Sequence, residues 1–248
     1  MSLVHQRSVV GASVTADLRD AGSVQTAVQQ SEPDLVIHAA FARDEDSIVA
    51  ATRHVVQAAE QVGADLLFVS SESVFAGDGV GRPEEAPPDP VWPYGRWKTE
   101  AEELVVAAVA DAPIVRLPLI VSLDPEDHVL SKIRAVGAGG GRSVWFTDEI
   151  RQPAWAEDLA LGIWSIAGLP PERRAGPWHL PGPERLTRLE IARRAVTAAG
   201  LDERWIVGEP SPQDAARPRD LHLTGDRALR ELGWSPRPAY RTGLRTRV

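Results

Sequence analysis

The feature that most constrains the fold of this 248-residue chain is the alternation of short apolar segments with amphipathic helical ones. Residues 34–38 and 64–70 are short apolar runs typical of buried strands, and residues 44–62 carry apolar side chains at helical spacing up to Gly63. A loop rich in proline and acidic residues (77–93) precedes a predicted helix at about 94–110 and a strand at 114–121. This pattern predicts an α/β protein with a doubly wound parallel sheet, as in Rossmann-like domains.

The alternation ends after residue 121. The glycine-rich stretch 137–141, the aromatic pair at 145–146 and the proline-rich stretch 169–184 indicate loops between short elements. Two further helices are predicted, at 187–199, where Thr187 and Glu190 form a capping pattern, and at 226–232. We therefore expect a Rossmann-like nucleotide-binding domain at 1–122, with 152–168 packing back on it, and a smaller substrate-binding lobe formed by 123–151 and 169–248.

Composition excludes several classes of function. The net charge of −8 and the pI near 5.3 argue against nucleic acid or an anionic membrane as a partner. The chain has no cysteine, which excludes disulfides, cysteine-ligated zinc and a thiol nucleophile, and its six histidines lack the spacing of a metal site. No apolar run approaches the length of a membrane span and the first residues do not resemble a signal peptide, so a cytoplasmic location is expected.

A group able to transfer protons is predicted at the end of the strand at 64–70. Ser70 and Ser71 follow this strand, and Tyr94 and Lys98 lie four residues apart at the start of the next helix, on one face. An ammonium beside a phenol lowers the phenol pKa from about 10, so such a tyrosine can exchange a proton with a carbonyl or alcohol. The alternative interpretation is a solvated helix pair, although the chain has only two tyrosines and two lysines, Lys98 and Lys132.

The segments 68–77 (FVSSESVFAG) and 93–102 (PYGRWKTEAE) resemble the extended short-chain dehydrogenase/reductases. The closest group is the sugar-nucleotide-binding branch similar to dTDP-4-dehydrorhamnose reductase, and segments 34–40, 147–153 and 217–220 also match it. The resemblance implies that Ser71, Tyr94 and Lys98 are catalytic, that Lys98 also holds the nicotinamide ribose, and that the cofactor is NADP. It implies that the cofactor is further contacted by Arg7, at the 2′-phosphate, by Asp17 and Leu18, at the adenine, and by His38, Ala39, Ala40, Ser70 and Leu117.

Five residues are candidates for binding the substrate. Glu72 and Ser73 follow the catalytic serine, Trp145 offers a ring for stacking in a predicted loop, and Arg151 and Arg217 offer bidentate clamps for a diphosphate. The alternatives are a surface carboxylate for Glu72, a core residue for Trp145 and solvated charges for the arginines.

One departure from the resemblance concerns the phosphates of the cofactor. Family members begin with a strand and a glycine-rich turn, whereas Gly11 is the only glycine here before Gly22. By this comparison, the chain is expected to begin at the second strand of the family's fold. Either the natural protein is longer than this chain, or its fold has been rebuilt without the first strand. The glycines at 137–141 are expected to be a flexible connection that does not replace this turn.

Three functions follow from these observations. The first is an NADPH-dependent reductase of a keto group, on a nucleotide-linked deoxysugar or a related secondary metabolite. The second is an enzyme without a nicotinamide that uses Tyr94 as acid or base in an isomerisation, cyclisation or dehydration. The third is a non-catalytic binding or regulatory subunit. The expected partner is a small molecule, and a second copy of the chain is a candidate partner in a homodimer.

Overall fold

The computed structural model describes residues 3–4, 14–40, 42–213 and 216–241. The strands are β1 (Leu3–Val4), β2 (Val14–Thr15), β3 (Leu35–His38), β4 (Asp65–Ser71), β5 (Pro113–Leu117), β6 (Ile120–Val121), β7 (Ser143–Phe146), β8 (Ile150–Arg151), β9 (Ala154–Trp155), β10 (Gly176–His179), β11 (Leu186–Thr187) and β12 (Ile206–Glu209). The α-helices are α1 (Ala21–Ser31), α2 (Ala51–Val62), α3 (Pro93–Ala108), α4 (His128–Ala138), α5 (Ala156–Ala167), α6 (Pro171–Arg174), α7 (Arg188–Ala198) and α8 (Asp226–Leu232).

The main sheet has four parallel strands in the order β10-β5-β4-β3. Successive side chains of β4 point to opposite faces, so that Leu66 and Phe68 join the core under α1, α2 and α3 while Leu67 and Val69 join the core under α5 and α8. Helices therefore cover both faces, and the Rossmann-like α/β fold predicted from the sequence is confirmed.

A second core lies beside the main sheet. It is formed by apolar residues of α4, α7, β6, β7, β9, β11 and β12, with the buried rings of Trp145, Trp155 and Tyr240 among them. Trp155 donates its indole N–H to the carbonyl of Pro238 at 3.0 Å, which ties the end of the described chain to this core. The division of the chain into two lobes at the predicted boundaries stays a prediction.

Two local predictions are wrong. Residues 169–184 were expected to be loops of the smaller lobe, but they contain α6 and β10, and β10 pairs with β5 at the edge of the main sheet. Trp145 was expected in a loop, but it lies in β7, which pairs with β12. Both strands are only four residues long and carry proline or aromatic residues, so neither shows the apolar alternation by which strands are read from a sequence.

Candidate functional site

Ser71 is positioned by the end of β4. Its hydroxyl accepts a hydrogen bond from the Ser73 N–H at 3.2 Å and so caps a short 3₁₀ helix at Glu72–Val74. The start of α3 packs against this turn because Gly95 has no Cβ; a methyl group there would lie 2.2 Å from the Ser73 carbonyl oxygen. The close approach brings Tyr94, at the second position of α3, onto the carboxyl end of β4.

The Tyr94 phenol is hydrogen-bonded to the Ser71 side chain. Burial raises the pKa of Tyr94 to about 12, against a smaller lowering from the Ser71 hydrogen bond and from Arg43. The prediction that Lys98 lowers this pKa is therefore wrong for the structure: desolvation of the phenolate dominates. At neutral pH the phenol keeps its proton and is a proton donor.

The Lys98 ammonium contacts residues of β4. Its Nζ donates to the Val69 carbonyl at 3.0 Å and lies 4.7 Å from the centroid of the Phe68 ring. Burial lowers the pKa of Lys98 to about 8, and Glu102 opposes this change. The ammonium is thus held at the carboxyl end of β4, within the same site as Ser71 and Tyr94.

Glu72 is a buried carboxyl group in this site. Its Oε1 lies 3.8 Å from Arg151 Nε, the backbone N–H of Leu119 donates to the carboxylate, and Oε2 has no hydrogen-bond partner among the described residues. Burial raises its pKa to about 7, against the opposing charges of Arg151 and Arg188. The alternative interpretation of Glu72 as a surface carboxylate is wrong, since only 4% of the residue is exposed.

The candidate cofactor residues lie along the carboxyl ends of neighbouring strands. His38 ends β3, and its buried Nε2 is 3.1 Å from Thr52 Oγ1; Ala39 and Ala40 follow it. Ser70 and Leu117 are buried near the ends of β4 and β5, which pair in register. Burial, with the Lys98 charge, lowers the pKa of His38 to about 3, so this imidazole is neutral.

Of the residues predicted to contact the adenine and the 2′-phosphate, Asp17 and Leu18 lie within the described ranges. Asp17 forms an ion pair with Arg19 at 2.7 Å. Leu18 is buried in the core under α1 and α2, and its carbonyl accepts a hydrogen bond from His54 Nδ1 at 3.0 Å. Arg7 lies outside the described residues. The adenine and 2′-phosphate assignments stay predictions.

The arginines predicted to clamp a diphosphate differ in their surroundings. Arg151 donates to the carbonyls of Ile150, Pro218 and Arg219, so its guanidinium fixes the backbone at 218–219. Arg217 has a side chain that is 43% exposed, and its guanidinium packs over the rings of Phe146 and Trp92 at 5.6 and 5.9 Å.

Both arginines share one buried carboxylate. Glu149 lies 3.5 Å from Arg151 Nη2 and 3.1 Å from Arg217 Nε. The Trp92 ring lies 5.5 Å from the Tyr94 ring, so a single aromatic side chain separates Arg217 from Tyr94.

The sequence reasoning missed two cations beside these arginines. Lys132 Nζ and the Arg188 guanidinium lie 4.6 and 5.4 Å from the centroid of the Trp145 ring. Trp145 itself is 3% exposed and donates its indole N–H to Ser143 Oγ at 2.9 Å, so it belongs to the second core. The rarity of lysine was a usable signal for Lys132, whereas nothing marks Arg188 among so many arginines.

The described part of the chain has neither a metal-binding cluster nor a membrane-spanning helix. No group of three or more histidine, aspartate or glutamate side chains there is placed to hold a metal ion. No helix in those same residues is long and apolar enough to cross a membrane.

Comparison with known proteins gives the family. The sequence profile of the RmlD substrate binding domain matches residues 2–248. The chain belongs to this family. A dTDP-4-dehydrorhamnose reductase of Streptomyces griseus is 31% identical to this RmlD-family chain over 262 residues, covering 94% of it and 84% of the relative. Methionine adenosyltransferase 2 subunit beta of Xenopus tropicalis is 27% identical over 256 residues, covering 92% of this chain and 74% of the relative.

Among solved structures, the RmlD-family chain is similar to dTDP-4-dehydrorhamnose reductase from Bacillus anthracis in complex with NADP. The TM-score is 0.77 at 23% identity, and the match covers 90% of this chain and 83% of that one. This likeness supports the Rossmann-like fold described above.

Proposed function

We propose that this protein is an NADPH-dependent keto reductase of the short-chain dehydrogenase/reductase type that acts on a nucleotide-linked deoxysugar or a related secondary metabolite. The observation that carries the proposal is the hydrogen-bonded pair of Tyr94 and Ser71 at the carboxyl end of β4, with the buried Lys98 ammonium in the same site. Membership of the RmlD family and the similarity to a dTDP-4-dehydrorhamnose reductase support it.

The protonation states of the site suit reduction of a carbonyl. Tyr94 keeps its proton at neutral pH, because its pKa is about 12, and can donate it to the substrate oxygen as negative charge develops there. The Ser71 hydroxyl can donate a second hydrogen bond to the same oxygen. The Lys98 ammonium, in the same site, is assigned to the nicotinamide ribose rather than to lowering the pKa of Tyr94. The carbonyl carbon gains a hydride and its oxygen gains the Tyr94 proton, which yields the alcohol.

The polar groups near the strand ends fit the nicotinamide end of a dinucleotide. Ser70 Oγ is buried and has no hydrogen-bond partner among the described residues, and it lies beside the strand residue whose carbonyl holds Lys98. A bound hydroxylated ring would give both groups a partner. A nicotinamide dinucleotide, when bound, supplies the hydride. The residues assigned to hold it are Lys98 and Ser70 at the ribose, His38, Ala39, Ala40 and Leu117 along the strand ends, and Asp17, Leu18 and Arg7 toward the adenine.

The test measures turnover of a dTDP-4-keto-6-deoxyhexose, with the reaction monitored as the loss of NADPH absorbance. Tyr94→Phe should lower kcat by about 10²–10⁴-fold, the range expected for loss of a general acid. Arg96→Met, an exposed change on the same helix, is the control and should retain turnover. Equal turnover by Tyr94→Phe and the wild type would refute the proposal. Turnover that depends on Tyr94 but not on a nicotinamide would favour a non-redox enzyme on the same scaffold.

A regulatory subunit is the second candidate. It is favoured by the similarity over 92% of this chain to methionine adenosyltransferase 2 subunit beta, a protein named as a subunit of an enzyme. This reading predicts that the Tyr94→Phe variant and the wild type are equally inactive as reductases. The homodimer and the cytoplasmic location expected from the sequence stay predictions.

A further inference from the structure

Two cations from different helices meet on the ring of Trp145. Lys132 comes from α4 and also donates to the Val144 carbonyl at 3.1 Å. Arg188 is the first residue of α7, and its guanidinium lies 3.3 Å from Nε2 of His128, the first residue of α4. Because the indole N–H of Trp145 is fixed by Ser143, the ring is a rigid platform for both cations.

Arg188 is half-buried and Lys132 is exposed, and within the described ranges neither has a carboxylate partner in contact with it. The two carboxylates that favour the charge of Arg188, Glu149 and Glu72, are also engaged by other arginines: Glu149 is shared by Arg151 and Arg217, and Glu72 faces Arg151. The neighbourhood therefore carries more positive than negative charge.

The pKa values of these groups are lowered first by burial and then by the neighbouring cations. Burial and the Arg151 charge lower the pKa of Arg188 to about 10, and burial with Arg188 and Arg217 lowers the pKa of Lys132. Burial and the same cations lower the pKa of His128 to about 4. Arg188 and His128 also stand at the positive ends of two helix dipoles, where a cation is unfavourable. A bound anion would supply the negative charge that the neighbouring side chains of the protein do not, and would therefore stabilise the cluster.

We propose that Lys132 and Arg188 form a subsite for a phosphoryl or diphosphoryl group of the substrate. The inference rests on the proposed function, since it assigns to these residues the charged part of a nucleotide-linked substrate. A phosphoryl group fits better than a single carboxylate because it can carry two negative charges and presents several oxygens to cations that approach from two helices. Neutral His128 can add a hydrogen bond, and Arg217 borders the subsite on the side of Tyr94.

Calorimetric titration with TDP and with inorganic pyrophosphate, without a nicotinamide, tests the subsite. Lys132→Met and Arg188→Met should each weaken TDP binding by about tenfold or more, the cost expected for a lost hydrogen bond to a charged group. The matched controls are Arg134→Met on α4 and Arg193→Met on α7, whose exposed guanidinium groups lie 2.5 Å from Glu126 and 3.7 Å from Glu203. They should leave binding unchanged.

Unchanged TDP affinity in both variants, or an equal loss in the controls, would overturn the proposal. Pyrophosphate binding that is lost in the same variants supports it, and its persistence contradicts it. NADPH titrated into the same variants should bind as to the wild type, and a loss there would move the cluster to the cofactor phosphates and contradict the assignment to substrate. Lys132 is exposed, so Lys132→Met keeps the test valid if Arg188→Met does not fold. If TDP binding depends on Lys132 while keto reduction is absent, the subsite stands and the proposed reductase fails.

Discussion

Replacing Glu72 by glutamine should change how the stability of this protein depends on pH. Burial raises the pKa of Glu72 from 4.5 to about 7, so between these values the folded protein holds a proton that the unfolded chain has lost. The free energy of unfolding therefore falls as pH rises through this window. Each tenfold change in the ionisation constant is worth about 1.4 kcal/mol, so the full effect is about 3 kcal/mol.

Glutamine keeps the neutral shape of the protonated side chain and does not titrate. In urea unfolding the Glu72→Gln variant should match the wild type near pH 4 and exceed it by about 3 kcal/mol near pH 8. The comparison between the two proteins cancels the opposite effect of His38, His128 and His179, whose pKa values burial lowers. Glu100→Gln, an exposed change on α3, is the control. A difference between Glu72→Gln and wild type that is the same at both pH values would refute the reasoning.

Three further predictions concern the scaffold. Glu102 accepts two hydrogen bonds from the buried Arg116 guanidinium at 2.9 and 3.1 Å. Glu102→Leu leaves that charge unpaired and should lower the free energy of unfolding in urea by about 3–5 kcal/mol, and adding Arg116→Met should restore much of the lost stability. A loss below about 1 kcal/mol in Glu102→Leu would contradict the account. Gly95→Ala should lower the free energy of unfolding by about 1–3 kcal/mol and should change kcat more than KM, because α3 must move away from the Ser73 carbonyl. An unchanged thermal unfolding temperature would argue against this packing. Thr187→Ala removes a reciprocal capping box and should cost about 1 kcal/mol, whereas Thr197→Ala on the exposed face of α7 should cost much less; equal effects would show that the cap is not responsible.

The sequence predicted the parts of this fold that local patterns determine. The helix that ends at Gly63 does so with this glycine in the left-handed conformation, and Thr187 and Glu190 form the predicted capping box. Strand β10 escaped prediction because its partner is β5, far away in the chain, and only that pairing makes a strand of residues that include a proline.

For the candidate site, spacing placed Tyr94 and Lys98 on one face of a helix that begins beside Ser71. Burial was not readable from this spacing, and burial decides the pKa of Tyr94. Lys132 and Arg188, the two cations on the Trp145 ring, are 56 residues apart in the sequence and belong to different helices. Only the tertiary structure brings them together.

The central claim, a nicotinamide site around Tyr94 and Lys98, is tested most directly by titrating the protein with NADPH and NADH in a calorimeter. The account predicts micromolar binding of NADPH, weaker binding of NADH, and loss of NADPH binding in Lys98→Met but not in Arg96→Met. Failure of both nucleotides to bind a protein that unfolds cooperatively, or equal NADPH binding by Lys98→Met and the wild type, would contradict it.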